Sequence, residues 1–305
     1  MRSLPDLLGP RDEWRIVLTD SGLGGLTICA RLEKRLRRAS GIPSIRLVYM
    51  NAWPDSRHGY NDLPDAASRA AVLNKVLTAM MRFRPGFILI ACNTLSVLYE
   101  RTEFSRTATI PVAGIIEEGV DIFHEALARD PGSKLLIFGT RTTIESGEHI
   151  RRLLQRGIDP RRVIAAACHG LAGAIDKDPD SPALPGLVDE CVSRGLQERN
   201  IEGTLYAGFC CTHYSYVADI FRRSLERNTG ATVEVIDPNE HIVRSLTSGM
   251  ENRRPEDAEA DITAEVISKV ELPEAQRRAV ARRLELVSGR TARALLDYTR
   301  LPGLF

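Results

Sequence analysis

Two cysteines stand where a sequence of this kind can do chemistry. The apolar run Ile88-Leu89-Ile90-Ala91 leads straight into Cys92-Asn93-Thr94, and Ala207-Gly208-Phe209-Cys210 leads into Cys211-Thr212-His213. A cysteine at a strand end is by itself an ordinary small core residue. Asn and Thr beside it change the reading, because they supply the donors that hold a carboxylate. A free thiol titrates near ~8.5, so it needs help to act as a base near neutrality. His213, or a helix N-terminus, can give that help. Three other readings stay open for the second cluster. Vicinal Cys210 and Cys211 can be buried and inert. With His213 and Cys168-His169 they can bind zinc, although no CxxC spacing supports it. They can form a redox pair, against the strain of an adjacent disulfide.

A third element is Asp20-Ser21-Gly22-Leu23-Gly24-Gly25-Leu26, directly after an apolar run. Its glycines allow close approach of the backbone, and the helix start that follows offers free N–H groups to an anion. It is neither a Walker loop nor a full GxGxxG. A structural turn explains the glycines as well.

These elements need a scaffold that ends strands at one place. Short apolar runs at Ile16–Thr19, Ile45–Met50, Gly86–Ala91, Ile110–Ile115, Lys134–Phe138, Val163–Ala167, Thr204–Phe209 and Val233–Ile236 predict strands. Most are continuous rather than alternating, as in parallel strands buried on both faces. Helical patterns lie between them, at Ala66–Phe83, Gly119–Ala128, Ile144–Gln155 and Leu184–Glu198. The order predicts an α/β fold of open parallel sheets flanked by helices, with ligands beyond the carboxyl ends of the strands. Asp20 to Cys92 and Gly139 to Cys211 span the same number of residues, which points to two similar halves packed without a flexible linker. The expected division is residues 1–116 plus 215–305 for one domain and 117–214 for the other. After Met250 the chain changes character. The stretch from Glu251 to Asp261 is charged and polar, and Pro273–Tyr298 favours helix. Val280, Leu284, Val287, Leu295 and Leu296 suit one face, expected to cover the sheet or to form a subunit contact such as a homodimer interface.

The bulk numbers narrow the class of partner. The chain of 305 residues is 43% apolar and 27% charged, the balance of a folded soluble protein. Its net charge is +1, which recruits neither nucleic acid nor a membrane surface. Basic clusters such as Arg35–Arg38 and Arg282-Arg283 read as solvated helix faces. No run approaches the length of a membrane span, and the first fifteen or so residues lack a signal-peptide core. A cytoplasmic location is expected, in which the six cysteines are reduced.

Taken together, Asp20–Leu26, Cys92-Asn93-Thr94, Gly139-Thr140-Arg141-Thr142-Thr143-Ile144 and Cys211-Thr212-His213-Tyr214 make the chain resemble the aspartate/glutamate racemase superfamily, and glutamate racemase most. The resemblance runs from about Ile16 to Pro238. It implies two pseudo-symmetric α/β domains with the site in the cleft between them, and no pyridoxal phosphate or metal. It implies that Cys92 and Cys211 exchange the α-proton from opposite faces of an acidic amino acid or related carboxylate. Asp20 would assist Cys92, and His213 would assist Cys211. Ser21, Asn93, Thr94 and Thr212 would hold the substrate's amino and carboxylate groups. Such activity would supply D-glutamate to the bacterial cell wall. The sequence departs from the family at Arg57-His58-Gly59, where Pro-Tyr-Gly is usual. The Gly59 backbone donor is expected to survive, and Tyr60 is the replacement for the missing aromatic ring. Asp176 stands where the family has Glu, one methylene longer. Arg57 and His58 are expected to alter what the distal end of the substrate must look like, because a guanidinium binds carboxylates bidentately. Two alternatives stay in view: an isomerase of the same fold acting on another small carboxylic acid, and a ligand-binding homologue that has lost turnover.

Overall fold

The computed structural model describes residues 1–39, 44–197, 201–251 and 260–305. Ten strands fall into two parallel sheets. The first contains β1 (Glu13–Asp20), β2 (Ser44–Asn51), β3 (Phe87–Ile90) and β4 (Val112–Ala113). The second contains β5 (Lys134–Gly139), β6 (Val163–Ala167), β7 (Thr204–Cys210) and β8 (Thr232–Ile236). The C-terminal β9 (Ile262–Ser268) and β10 (Thr299–Arg300) extend the first sheet, giving the orders β10-β9-β2-β1-β3-β4 and β6-β5-β7-β8.

The continuous hydrophobicity of the strands has the expected cause. In β1, Ile16 and Leu18 pack into the core that includes the Leu26–Leu36 helix, whereas Val17 packs into the core that includes the Ala66–Met80 helix. In β5, Leu136 and Phe138 face one core, and Leu135 and Ile137 face the other. Successive side chains point to opposite faces, so a strand covered on both sides must be apolar throughout.

The structure differs from the sequence expectation in four places. The domain boundary after Tyr214 falls inside the second half, because β8 pairs with β7 in parallel register. The helix expected over Ile144–Gln155 is broken at Gly147, whose φ of 65° is left-handed, leaving helices at Arg141–Glu145 and Glu148–Gln155. The Leu184–Glu198 helix ends at Leu196, where Gln197 turns left-handed; Glu198 lies outside the described residues, as do residues 252–259 of the charged stretch. Finally, β9 was not anticipated. Its polar positions alternate with apolar ones, and its place is fixed by pairing with β2 and by Arg46, which grips Glu265 with two bonds of 2.8 and 3.0 Å.

The segment after β9 forms the Glu274–Glu285 and Gly289–Leu296 helices. Val280, Leu284 and Leu295 are buried in the first-sheet core, Val287 packs against it in part, and Leu296 is exposed. No helix of the described residues is long and apolar enough to cross a membrane.

Candidate active site

The two halves share one local design. Each sheet contains the order second-first-third-fourth strand, and a cysteine follows each third strand. Cys92 has φ −153° and ψ 126°, and Cys211 has φ −152° and ψ 126°. Both are extended residues at which the chain leaves a strand and enters a helical turn. A threonine just past each cysteine then bonds across to the opposite half. Thr94, two residues past Cys92, has its hydroxyl 2.8 Å from that of Thr140, just past β5. Thr212, one residue past Cys211, donates its hydroxyl to Asp20 Oδ2 at 2.8 Å, at the end of β1. Both cysteines line a single cavity of about 530 Å³, together with Ser21, Asn93, Thr94, Thr140, Asp176, Thr212 and His213.

Behind Cys92 lies a hydroxyl and then a carboxylate. Its Sγ is 3.3 Å from Ser21 Oγ, which donates to Asp20 Oδ1 at 3.3 Å. Asp20 is fully buried and does not line the cavity. Its oxygens also accept the backbone N–H groups of Gly22 at 3.0 Å and Gly25 at 2.6 Å. Burial raises its pKa, against the lowering influence of His213 and Thr212. Burial, and the charge of Asp20, push the Cys92 thiol well above the usual range. Cys92 therefore rests as a thiol.

Behind Cys211 the hydroxyl is replaced by an imidazole. Cys211 Sγ is 3.5 Å from His213 Nδ1, and His213 Nε2 is 2.8 Å from Asp176 Oδ1. The histidine and aspartate are 4% and 5% exposed, so the pair is shielded from solvent. Burial alone would lower the pKa of His213, but the charges of Asp176 and Cys211 outweigh it and hold the pKa well above the usual value. The backbone N–H of Gly24 also points to His213 Nε2 at 3.0 Å. That contact suits only a ring with a bare Nε2. A carboxylate at 2.8 Å favours the protonated Nε2, and as the charged partner it dominates.

The glycines of the Asp20–Leu26 loop are there for close approach. A Cβ at Gly24 would stand 2.5 Å from His213 Nδ1 and 2.6 Å from Thr212 Oγ1, and one at Gly22 would collide with Asp176. Leu23 N donates to Asp176 Oδ1 at 3.0 Å. The loop of the first half is thus clamped by the histidine and aspartate of the second.

The polar side chains facing the cavity are partly committed. Thr212 spends its proton on Asp20, so toward a ligand it can only accept, as an ammonium requires. Asn93 Oδ1 accepts from His149 Nε2 at 3.1 Å, which leaves the Asn93 amide N–H groups to the cavity. Burial pushes His149 down to about 4, so it is neutral there. The cavity lining also carries charges of both signs, Arg57, Arg141 and Lys177 with Asp55, Asp62 and Glu271.

Two expectations around the second strand do not hold. His58 does not line the cavity. Asp55 accepts the backbone N–H groups of Arg57 at 2.7 Å and His58 at 2.9 Å, and the His58 ring folds back on the same carboxylate at 3.1 Å. The Gly59 backbone donor is taken by Asp62 Oδ2 at 2.7 Å. Tyr60 does line the cavity, buried beside Cys92. Of the alternatives for the vicinal cysteines, the redox pair does not hold, and Cys210 is a buried core residue. All six cysteines are free, and Cys210 packs into the opposite face of the second sheet from Cys211. Among the described residues the only gathered set of metal-binding atoms is Glu118, Asp121 and His241, none of which lines the cavity. Sequence reasoning missed Trp53, Thr140 and Gln276 as lining residues. Thr140 stands in the Gly139–Ile144 stretch, whereas Trp53 and Gln276 reach the cavity only through the tertiary fold.

The comparisons with known proteins agree with this architecture. The chain is 27% identical over 241 residues to glutamate racemase of Aquifex pyrophilus, covering 76% of this chain and 82% of that one. The fold matches the crystal structure of glutamate racemase from Campylobacter jejuni with a TM-score of 0.63 at 21% identity, covering 90% and 99% of the two chains. It also matches glutamate racemase from Francisella tularensis in complex with D-glutamate, with a TM-score of 0.62 at 20% identity, covering 95% and 96%. The family profile described as Asp/Glu/Hydantoin racemase matches residues 21–246, and the chain belongs to that family.

Proposed function

We propose that this isomerase is a cofactor-independent racemase of acidic amino acids, with Cys92 and Cys211 as its two bases. The observation that carries the reading is the pairing of two thiols at equivalent strand ends, with matching backbone, in one cavity. Inversion at a carbon needs a proton acceptor on one face and a donor on the other. Cys211 lies next to the His213 imidazole, and Cys92 rests as the thiol. Cys211 removes the α-proton of one enantiomer while Cys92 delivers its own to the opposite face. The other enantiomer is processed with the roles exchanged. Asn93 and the backbone N–H groups near the strand ends stabilise the charge that develops on the substrate carboxylate, and Thr212 accepts from the ammonium group. An acidic amino acid as substrate is supported by the relatives, which are glutamate racemases.

The test is wash-in of solvent deuterium at the α-carbon across a panel of glutamate, aspartate and longer acidic amino acids. The expected result is exchange with inversion for at least one of them, lost in Cys92→Ser and in Cys211→Ser. Normal racemisation by either variant would sink the two-base assignment.

A further inference from the structure

The segment beyond the family match contributes a wall of the cavity. Pro273 and Gln276, at the start of the Glu274–Glu285 helix, line it alongside Trp53 and Tyr60 from the region after β2. Gln276 is 7% exposed, and its Nε2 has no hydrogen-bond partner. Trp53 Nε1 and the Tyr60 hydroxyl are likewise buried without partners. A buried polar group without a partner is costly, and such groups in a native fold need an explanation.

The donor chemistry identifies the missing partner. Indole Nε1 and amide Nε2 can only donate, so their complement is an acceptor, and a carboxylate offers the strongest one. The helix start adds to this. Pro273 provides no side-chain cap, and the first intrahelical bond is Arg277 N to Pro273 O at 3.0 Å, so the N–H groups of the first turn are free of the helix's own carbonyls. The acids nearest the helix start face other partners: Glu271 pairs with Arg300, and Glu274 pairs with Arg278.

We infer that Gln276, supported by Trp53, is the specificity-determining residue that receives the distal carboxylate of a dicarboxylic amino acid. The inference rests on the racemase reading for its substrate class. It makes the C-terminal segment, rather than the Arg57-His58 stretch, the selector of the substrate's far end.

The experiment compares the full-length wild type with Gln276→Leu, measuring D-glutamate binding by calorimetry and racemisation kinetics. 2-Aminobutyrate, which lacks the distal carboxylate, serves as the control. Loss of a hydrogen bond to a charged group should weaken glutamate binding and raise KM about 10-fold to 100-fold. The expected kcat is within a few-fold of wild type, with 2-aminobutyrate exchange unchanged. Trp53→Phe, which keeps the packing, should move glutamate KM the same way and decides the matter if Gln276→Leu fails to fold. Unaltered glutamate affinity and KM in a folded Gln276→Leu would overturn the inference, as would a wild type that binds no dicarboxylic amino acid. A wild type that binds glutamate without exchanging its α-proton would defeat the racemase reading alone, and the binding comparison would still judge Gln276.

Discussion

Replacing Asp176 with Asn removes a charge and very little shape. The carboxylate sits 2.8 Å from His213 Nε2 and accepts Leu23 N at 3.0 Å. An asparagine oxygen can keep the Leu23 bond. What it cannot keep is the negative charge that holds the imidazolium, and its amide N–H groups can turn toward Nε2 and force the wrong tautomer. Breaking a buried pair costs about 3–5 kcal/mol. Because the shape survives, the lower end applies, about 3 kcal/mol, and a domain with the usual 5–15 kcal/mol of stability remains folded. Catalysis should suffer more visibly. Loss of an oriented acid–base partner lowers rates about 10²-fold to 10⁴-fold, or about 3–5 kcal/mol in the barrier. Racemisation has an equilibrium constant of unity, so kcat/KM must fall equally for both enantiomers, whichever cysteine the relay serves. The pH profile adds a sign. Asp176 is among the charges that raise the His213 pKa, so without it the imidazolium is lost at lower pH and the alkaline limb of kcat/KM moves down. Polarimetry against pH, with urea unfolding as the control, tests both. Wild-type kcat/KM with an unmoved alkaline limb, in a folded Asp176→Asn, would refute the relay.

Two further perturbations probe the same assembly. Gly24→Ala places a methyl group 2.5 Å from His213 Nδ1 and 2.6 Å from Thr212 Oγ1, both buried and held by other bonds; overpacking should cost about 1–3 kcal/mol in urea unfolding and displace the relay enough to lower kcat about 10²-fold, and near-normal values of both would show that the loop has room to move. His149 has a pKa of about 4 in the fold against an ordinary 6.5. The unfolded chain therefore takes up the proton first, and the contribution is full above pH 6.5 and lost as pH falls toward 4, by about 3 kcal/mol. His149→Gln keeps a donor for Asn93 but does not titrate, so its stability should fall less steeply over that window; equal slopes in pH-dependent denaturation would contradict the buried neutral ring.

How far the sequence reaches depends on how local the cause is. The central strands β1, β2, β3, β5 and β7 are legible because burial on both faces writes itself into nearly continuous apolar runs. Cys92, Cys211, His213 and Asp20 are legible as strand-end residues, because a parallel sheet gathers its carboxyl ends on one side. Strand β9 is not, because Thr263 and Glu265 interrupt its apolar pattern, and pairing with β2 holds it. The domain boundary was misplaced for the same reason: nothing near Tyr214 announces that β8 will pair with β7. His58 looks like a site residue from its neighbours in sequence, yet Asp55 turns the backbone and claims the ring. Gln276 carries no signal in sequence, since its meaning comes from a cavity whose cysteines and histidine lie more than sixty positions away.

The duplicated scaffold explains the paired thiols, but the two halves are not chemically equal, and the difference lies in one step of each relay. Behind Cys92 a serine hydroxyl leads to Asp20, whose four contacts with Ser21, Gly22, Gly25 and Thr212 fix its position. Behind Cys211 an imidazole leads to Asp176. A hydroxyl passes a proton without holding it, whereas an imidazole can store one. The two relays therefore differ in what stands next to the sulfur: a hydroxyl at Cys92 and an imidazole at Cys211. The relays also share their supports. Thr212 of the second half braces Asp20, and Gly24 and Leu23 of the first half contact His213 and Asp176. Separating the halves would strip both relays of partners at once, so the same contacts that join the halves also hold Asp20, His213 and Asp176 in place.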